Sequence, residues 1–183
     1  MCIRDRYKII SVVGAIHISS ELISRISSDK ALLIFGPRTG AREGNMKIPK
    51  KLPPNIDLVK SRIVRVETLP PNELLDIDPF GNANRYIETL KLDSNASPYL
   101  KLKSGKVIAT REGSGAIYLG AMVDQDGLIA FYQKLFEEIE LDFILMPDGV
   151  RRRCTENEEF WFNYNNKVIP VSYTHLTLPT TML

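Results

Sequence analysis

The chain has 183 residues, 44% of them hydrophobic, which suffices for one globular domain with a sizeable core and some residues to spare. Its formal charge of +2 comes from interspersed acids and bases, and the basic run at 151–153 makes no basic face, so nucleic acid is not expected as a partner. No apolar stretch has the length of a transmembrane helix, and two cysteines make no disulfide framework. A cytoplasmic protein without membrane contact is therefore the default expectation.

The stretch 31–35 is the most informative part of the chain. Five consecutive apolar residues end at a Gly-Pro pair, a pattern typical of a strand buried on both faces of a parallel sheet. A first strand predicted at 7–13 and a short helix predicted at 20–28 precede it and complete a βαβ unit. The following loop lies at the carboxyl end of the sheet, where open α/β folds place ligands or partners.

A long loop is predicted over 36–55, where Gly, Pro, Lys and Arg are frequent. Loops of this length inside a compact domain usually bind or assemble something. Arg38, Thr39 and Asn45 are therefore the candidate residues of a substrate-proximal or interface loop. The planar guanidinium of Arg38 suits a carboxylate on a neighbouring molecule, and the alternative is that it caps its own loop.

Beyond residue 60 the pattern changes to short extended runs, with a helical turn predicted near Asn72. Alternation predicts a strand with one wetter face at 61–69. Further strands joined by hairpin turns are predicted at 86–92, 99–103, 106–111 and 116–120. These strands form an antiparallel extension of the parallel sheet.

A second helix is predicted after Asp124, which is a good N-cap. Its apolar face is predicted to carry Leu128, Tyr132, Leu135 and Ile139 and to pack on the sheet. From residue 148 the period becomes two, which predicts the opening of an all-β segment. The expected fold class is α/β: a parallel sheet of the flavodoxin or class I glutamine amidotransferase type with an antiparallel extension, followed by a truncated all-β segment.

Motifs for cofactors and nucleophiles are weak in this chain. The segment 36–44 lacks the Gly-Lys-Ser/Thr ending of a phosphate loop, 113–115 precedes a strand instead of a helix, and 124–127 has too few ligands for calcium. An amidotransferase-type enzyme would need a thiolate on a strand-to-helix elbow with a base beside it. Within 7–170, Cys154 and His17 stand in no such pattern. No cofactor, metal or catalytic residue is predicted.

The two ends of the chain are complementary at the DNA level. Residues 1–5 can be encoded as ATGTGTATAAGAGAC, and the reverse complement of that string encodes Val-Ser-Tyr-Thr-His, which is residues 171–175. Both ends resemble sequencing-adapter read-through. Residues 1–6 and 171–183 are therefore expected to be artefacts, and 7–170 is expected to be an internal piece of a longer protein.

Four motifs together resemble the middle region of β-galactosidases of glycoside hydrolase family 42. They are Phe-Gly-Pro-Arg-Thr-Gly at 35–40, Leu-Pro-Pro at 52–54, Gly-Ala-Ile-Tyr-Leu-Gly at 115–120 and Pro-Asp-Gly-Val at 147–150. The resemblance implies an α/β trimerisation domain at 7–147, similar to a glutamine amidotransferase without its triad, and the start of a C-terminal β-sandwich at 148–170.

In that family the two catalytic glutamates belong to a preceding (β/α)8 barrel, so the resemblance gives no residue here a catalytic role. It implies a non-catalytic part of an enzyme that hydrolyses terminal β-D-galactose, with the galactoside bound by the missing barrel and with a homotrimer as the assembly. The alternatives are a free-standing amidotransferase-like binding or assembly module without a triad, and an amidotransferase-type enzyme.

Overall fold

The computed structural model describes residues 7–27, 31–93, 96–113, 115–155 and 157–170. The adapter-like ends, 1–6 and 171–183, lie outside the described residues. The chain divides into two compact units, unit 1 (Met1–Leu135) and unit 2 (Phe136–Leu183). The domain limits expected from the sequence, 7–147 and 148–170, stay predictions.

Strands outnumber helices in the described residues, which contain eleven strands and two helices. In chain order the elements are β1 (Ile9–Val12), α1 (Ser20–Ser27), β2 (Leu32–Phe35), β3 (Ser61–Thr68), β4 (Leu74–Asp78), β5 (Asn82–Leu92), β6 (Ser97–Leu102), β7 (Val107–Glu112), β8 (Ala116–Leu119), β9 (Ala121–Val123), α2 (Gln125–Glu138), β10 (Val150–Cys154) and β11 (Glu159–Asn163).

The parallel part of the sheet consists of β1, β2 and β8. Ile9 pairs with Leu32 and Leu33 pairs with Ala116, both in parallel register. Every residue of β2 is buried, as the uninterrupted apolar run predicts for a strand covered on both faces. The predicted βαβ unit is confirmed.

Antiparallel strands extend this core into a nine-stranded mixed sheet of order β1-β2-β8-β7-β6-β4-β5-β3, with β9 paired to β5. The hairpin between β6 and β7 turns at Gly105, whose φ of 87° favours glycine. The antiparallel extension is confirmed, and the predicted strands over 61–120 are present as β3 and β5 to β8.

The β3–β5 side of the sheet packs over the β7–β8 side. The hydroxyls of Ser61 on β3 and Thr110 on β7 lie 3.0 Å apart in a buried hydrogen bond. Leu33, Phe35, Ile63, Leu90 and Tyr118 belong to the apolar cluster in the core. Burial of these side chains supplies the main driving force for folding.

Two sequence expectations for unit 1 were wrong. Near Asn72 the chain makes a turn with φ 69° at that residue, and the strand β4 follows it in place of a helical turn. The predicted apolar face of α2 was also partly wrong: Leu135 is buried as predicted, but Phe131 is buried where Leu128 was expected, Leu128 is 39% exposed, and α2 ends at Glu138, before Ile139. Phe131 lies edge-on to Tyr99 of β6, with ring centroids 5.9 Å apart, so α2 does pack on the sheet as expected.

Unit 2 contains the antiparallel hairpin β10–β11, in which Arg152 is opposite Trp161. The rings of Phe162 and Tyr164 are stacked with centroids 6.5 Å apart, and both side chains are exposed. The period-two pattern therefore correctly predicted the strands, and their assignment to a β-sandwich stays a prediction. In the described part of the chain, neither helix has the length and hydropathy that a membrane-spanning helix needs.

Candidate functional site

The loop that leaves β2 is tied to the carboxyl end of β1. The Gly36 amide donates to the Val12 carbonyl at 2.8 Å, and the Gly40 amide donates to the Ala15 carbonyl at 3.0 Å. A Cβ on Gly36 would lie 2.9 Å from Cγ1 of Val13, so a larger residue at this position would force the Val13 side chain to move. The segment 36–40 is thus held at the edge where a parallel sheet presents its ligands.

A buried carboxylate, Glu88 on β5, anchors this loop by a hydrogen bond to its backbone. Its side chain accepts the backbone amide of Arg38 at 3.2 Å, the hydroxyl of Tyr86 at 2.8 Å and the hydroxyl of Tyr118 at 2.7 Å. Glu88 is 1% exposed. A buried carboxylate is stable only when donors surround it, and three donors do so here. Loop, β5 and β8 are joined by this one side chain.

Burial raises the pKa of Glu88 above its ordinary value, although the three hydrogen bonds and the nearby charge of Arg38 act in the opposite direction. Burial also raises the pKa values of Tyr86 and Tyr118, and the neighbouring Glu88 raises them further. Both tyrosines therefore remain protonated donors at neutral pH. Because its oxygens are covered and bonded, Glu88 holds the loop and does not face a substrate.

A groove with a volume of about 590 Å³ lies beside this loop at the carboxyl ends of β1, β2 and β8. We name it the Arg38 groove. Among the lining residues that the structure describes, Arg38 and Arg85 are the charged ones and none is acidic. Its main apolar walls are Val13, Ile16, Ile34, Leu119, Met122 and Leu128.

The rim of the Arg38 groove is unusually apolar for a surface. Val13 is 69% exposed, Met122 is 44% exposed and Leu128 is 39% exposed. These side chains come from three separate parts of the chain, namely the end of β1, β9 and α2, and they line one concavity. Contiguous exposed apolar surface of this kind is typical of interaction sites.

The three site residues predicted from the sequence have different positions. Arg38 is exposed and lines the groove. Thr39 is fully buried behind the loop, and its hydroxyl donates to the Val12 carbonyl at 3.2 Å, so its contact is structural. Asn45 is exposed in the turn of 43–47, where its side-chain oxygen accepts the Lys47 amide at 3.0 Å, and it does not line the groove.

Sequence reasoning missed Glu88, Tyr86, Tyr118 and Arg85. The one local signal is an acid placed directly after Ile87 in a strand that mixes apolar and polar residues. That signal is weak because side chains alternate between the two faces of a strand, so a residue next to a buried apolar one is normally expected on the solvent-exposed face. Both faces of β5 are covered in this fold, since Ile87 and Glu88 are each buried.

Other chemistry finds little support in the described residues. They contain no cluster of His, Cys, Asp and Glu that could hold a metal ion. Cys154 is an exposed thiol on the hairpin of unit 2, which is not a strand-to-helix elbow. In unit 1, Nδ1 of His17 lies 3.4 Å from the Arg42 carbonyl, a local structural contact.

The fold is thus a mixed sheet with a parallel core, and its candidate site is an apolar, arginine-bearing groove at the carboxyl edge of that core. No protein-family model matches the chain. The chain is 29% identical over 156 residues to the β-galactosidase BgaA of a Thermus species, which covers 83% of this chain and 24% of that protein.

Solved structures give the same relation. The β-galactosidase of the psychrophilic Marinomonas ef1 superposes with a TM-score of 0.82 at 29% identity, over 93% of this chain and 26% of that chain. A GH42 β-galactosidase from G. stearothermophilus has the same fold, with a TM-score of 0.69 at 17% identity over 86% of this chain and 26% of that one. The chain is similar to about a quarter of a β-galactosidase, which confirms the resemblance predicted from its motifs.

Proposed function

We propose that this chain is the non-catalytic assembly part of a β-galactosidase whose intact form hydrolyses terminal non-reducing β-D-galactose. The observation that carries the proposal is the match to a quarter of the length of proteins named β-galactosidase, in both sequence and fold. The parallel strands β1, β2 and β8 support the finer assignment to a flavodoxin or amidotransferase-like domain. A cytoplasmic location is part of the same proposal.

The chemistry of the reaction supports the proposed non-catalytic role. Retaining glycoside hydrolysis needs two carboxyl groups about 5–5.5 Å apart that face one sugar. In the described part of the chain, the most deeply buried carboxylate is Glu88, and its oxygens are bonded to Arg38, Tyr86 and Tyr118. We therefore assign galactoside binding and bond cleavage to a barrel domain encoded elsewhere in the parent.

Assembly is the function that remains for unit 1. A closed three-fold ring uses heterologous contacts, in which one surface of each copy meets a different surface of the next. The Arg38 groove has the features of one such surface, because it combines exposed apolar side chains with arginines. We propose that the intact parent is a homotrimer.

Two measurements test this function. The purified chain is expected to give no hydrolysis of o-nitrophenyl β-D-galactoside above a mock-purified control, and turnover above that control contradicts the non-catalytic assignment. The full-length parent, recovered by sequencing the flanking DNA, is expected to encode a (β/α)8 barrel before this segment and to be a trimer by light scattering. A monodisperse monomer at micromolar concentration contradicts the assembly role.

The free-standing assembly module remains the second candidate because the Arg38 groove belongs to unit 1 alone. The flanking DNA decides between a part of a β-galactosidase and a free-standing module, since a natural start codon directly before residue 7 favours the module. An amidotransferase-type enzyme has less support, given the exposed position of Cys154 on a hairpin. Glutamine-dependent ammonia release that is lost in Cys154→Ala would restore it.

A further inference from the structure

We propose that the Arg38 groove binds a polypeptide segment in which one carboxylate side chain stands between apolar side chains. The inference deepens the assembly role by naming the chemistry of the partner, and it rests on that role for the assumption that the partner is protein. Three observations carry it: two arginines without an ion pair, the fixed backbone that carries them, and the apolar rim.

The first observation concerns charge. Arg38 and Arg85 line one groove, and no acid is present among its described lining residues. Among the described residues, neither guanidinium has an ion pair or a side-chain hydrogen bond. Glu88 feels the charge of Arg38, but its oxygens already accept three hydrogen bonds. Two guanidinium groups without an ion pair or a side-chain hydrogen bond favour an anion, and a carboxylate matches their planar geometry.

The second observation concerns the backbone. Arg38 has φ 65° and Arg85 has φ 57°, both in the left-handed region that residues with a side chain rarely adopt. Each is fixed by a hydrogen bond: the Arg38 amide donates to Glu88 at 3.2 Å, and the Arg85 carbonyl accepts the Leu69 amide at 2.8 Å. Less conformational entropy is lost when an anion binds side chains that start from a fixed backbone.

The third observation decides the kind of anion. Most of the other side chains that line the groove are aliphatic, and Val13, Met122 and Leu128 are exposed at the rim. Inorganic anions gain nothing from such walls, whereas apolar side chains beside a carboxylate would cover them. Small ligands are usually enclosed by their pockets, but this rim is spread over three elements and stays exposed, so an extended segment fits it better.

The test uses the full chain, labelled with ¹⁵N, and three capped peptides: acetyl-Leu-Glu-Phe-amide and its Gln and Lys analogues. Amide shifts of the groove residues are followed by NMR titration. The Glu peptide is expected to bind at the groove, the Gln peptide about tenfold more weakly, and the Lys peptide not measurably, because a charge-assisted bond is lost and then reversed.

Variants locate the interaction. Arg38→Gln and Arg85→Gln are each expected to lower the affinity for the Glu peptide about tenfold and to leave the affinity for the Gln peptide unchanged. Arg65→Gln is the matched control, since Arg65 is an exposed arginine of the same unit that does not line the groove. A measurement without variants accompanies them: raising NaCl from about 50 mM to about 500 mM is expected to weaken only the Glu peptide.

Three results overturn the proposal: equal affinity for the Glu and Gln peptides, unchanged affinity in both groove variants, or tighter binding of octanoate than of the Glu peptide at the same residues. The last result would make the groove a small-molecule site. A monomeric parent with normal peptide binding would refute the assembly role alone. A trimeric parent without peptide binding would refute the groove chemistry alone.

Discussion

Replacement of Glu88 by alanine is the sharpest test of how the groove loop is held. The change removes the acceptor of three hydrogen bonds, from the Arg38 amide, the Tyr86 hydroxyl and the Tyr118 hydroxyl. Tyr118 is buried, so its hydroxyl has no access to water, and the Arg38 amide is partly buried. Each unsatisfied buried donor costs about 1–3 kcal/mol, and relief from burying a carboxylate offsets part of that cost.

We expect Glu88→Ala to lower the free energy of unfolding by about 2–4 kcal/mol at neutral pH. Urea unfolding of the full chain, followed by circular dichroism, measures it. Tyr118→Phe is the matched control because it removes one donor and leaves the other two, and about 1 kcal/mol is expected. A loss of less than about 0.5 kcal/mol in Glu88→Ala refutes the view that this carboxylate holds the loop.

Glu88 also predicts a pH dependence. Burial raises its pKa in the folded state above the ordinary value of 4.5, so the folded protein holds this proton more tightly than the unfolded chain. The part of the stability that comes from this proton uptake is therefore fully present below the unfolded pKa and is lost as the pH rises through the folded pKa, whereas the hydrogen bonds that Glu88 accepts remain. The stability gap between wild type and Glu88→Gln is expected to be larger at about pH 4 than at about pH 7. A gap that widens with pH contradicts the dominance of burial.

The remaining predictions concern the start of α2. Burial raises the pKa of Asp124, but hydrogen bonds from Asn82 and from the Gly127 amide outweigh burial, so the net pKa is lowered. Asp124→Ala should therefore lower the free energy of unfolding by about 1–2 kcal/mol, measured by urea unfolding. This loss of stability should shrink as the pH falls through the lowered pKa of Asp124. Gly81→Ala should cost at least about 2 kcal/mol, since φ is 74° and a Cβ would overlap Cα of Gly127. Gly105→Ala, with φ 87° and no neighbour within 4 Å, isolates the φ cost, and equal losses in both variants would refute the overlap argument.

Local patterns in the sequence were enough for much of this structure. The apolar run 31–35 became the fully buried strand β2, because a strand covered on both faces has no position for a polar side chain. Asp124 starts α2 as expected, since its carboxylate accepts the Gly127 amide at 2.9 Å. The motifs at 35–40 and 115–120 also identified the similarity to β-galactosidases, which the comparisons confirm.

Tertiary structure alone decided the candidate site. Periodicity indicates which side chains share a face, but it does not say what covers that face, so Leu128 was expected to be buried and is exposed at the groove. From the sequence alone, Glu88 would be expected at the surface. In the fold, β5 packs over β8, and donors that are distant in sequence bind the Glu88 carboxylate. Arg38 and Arg85 line one groove because the fold brings the loop after β2 and the strand β5 together. The sequence by itself determined most of the strands, because those depend on neighbours along the chain, although β4 and β9 were not predicted from it. The groove and its buried carboxylate depend on contacts between distant elements, which only the fold creates.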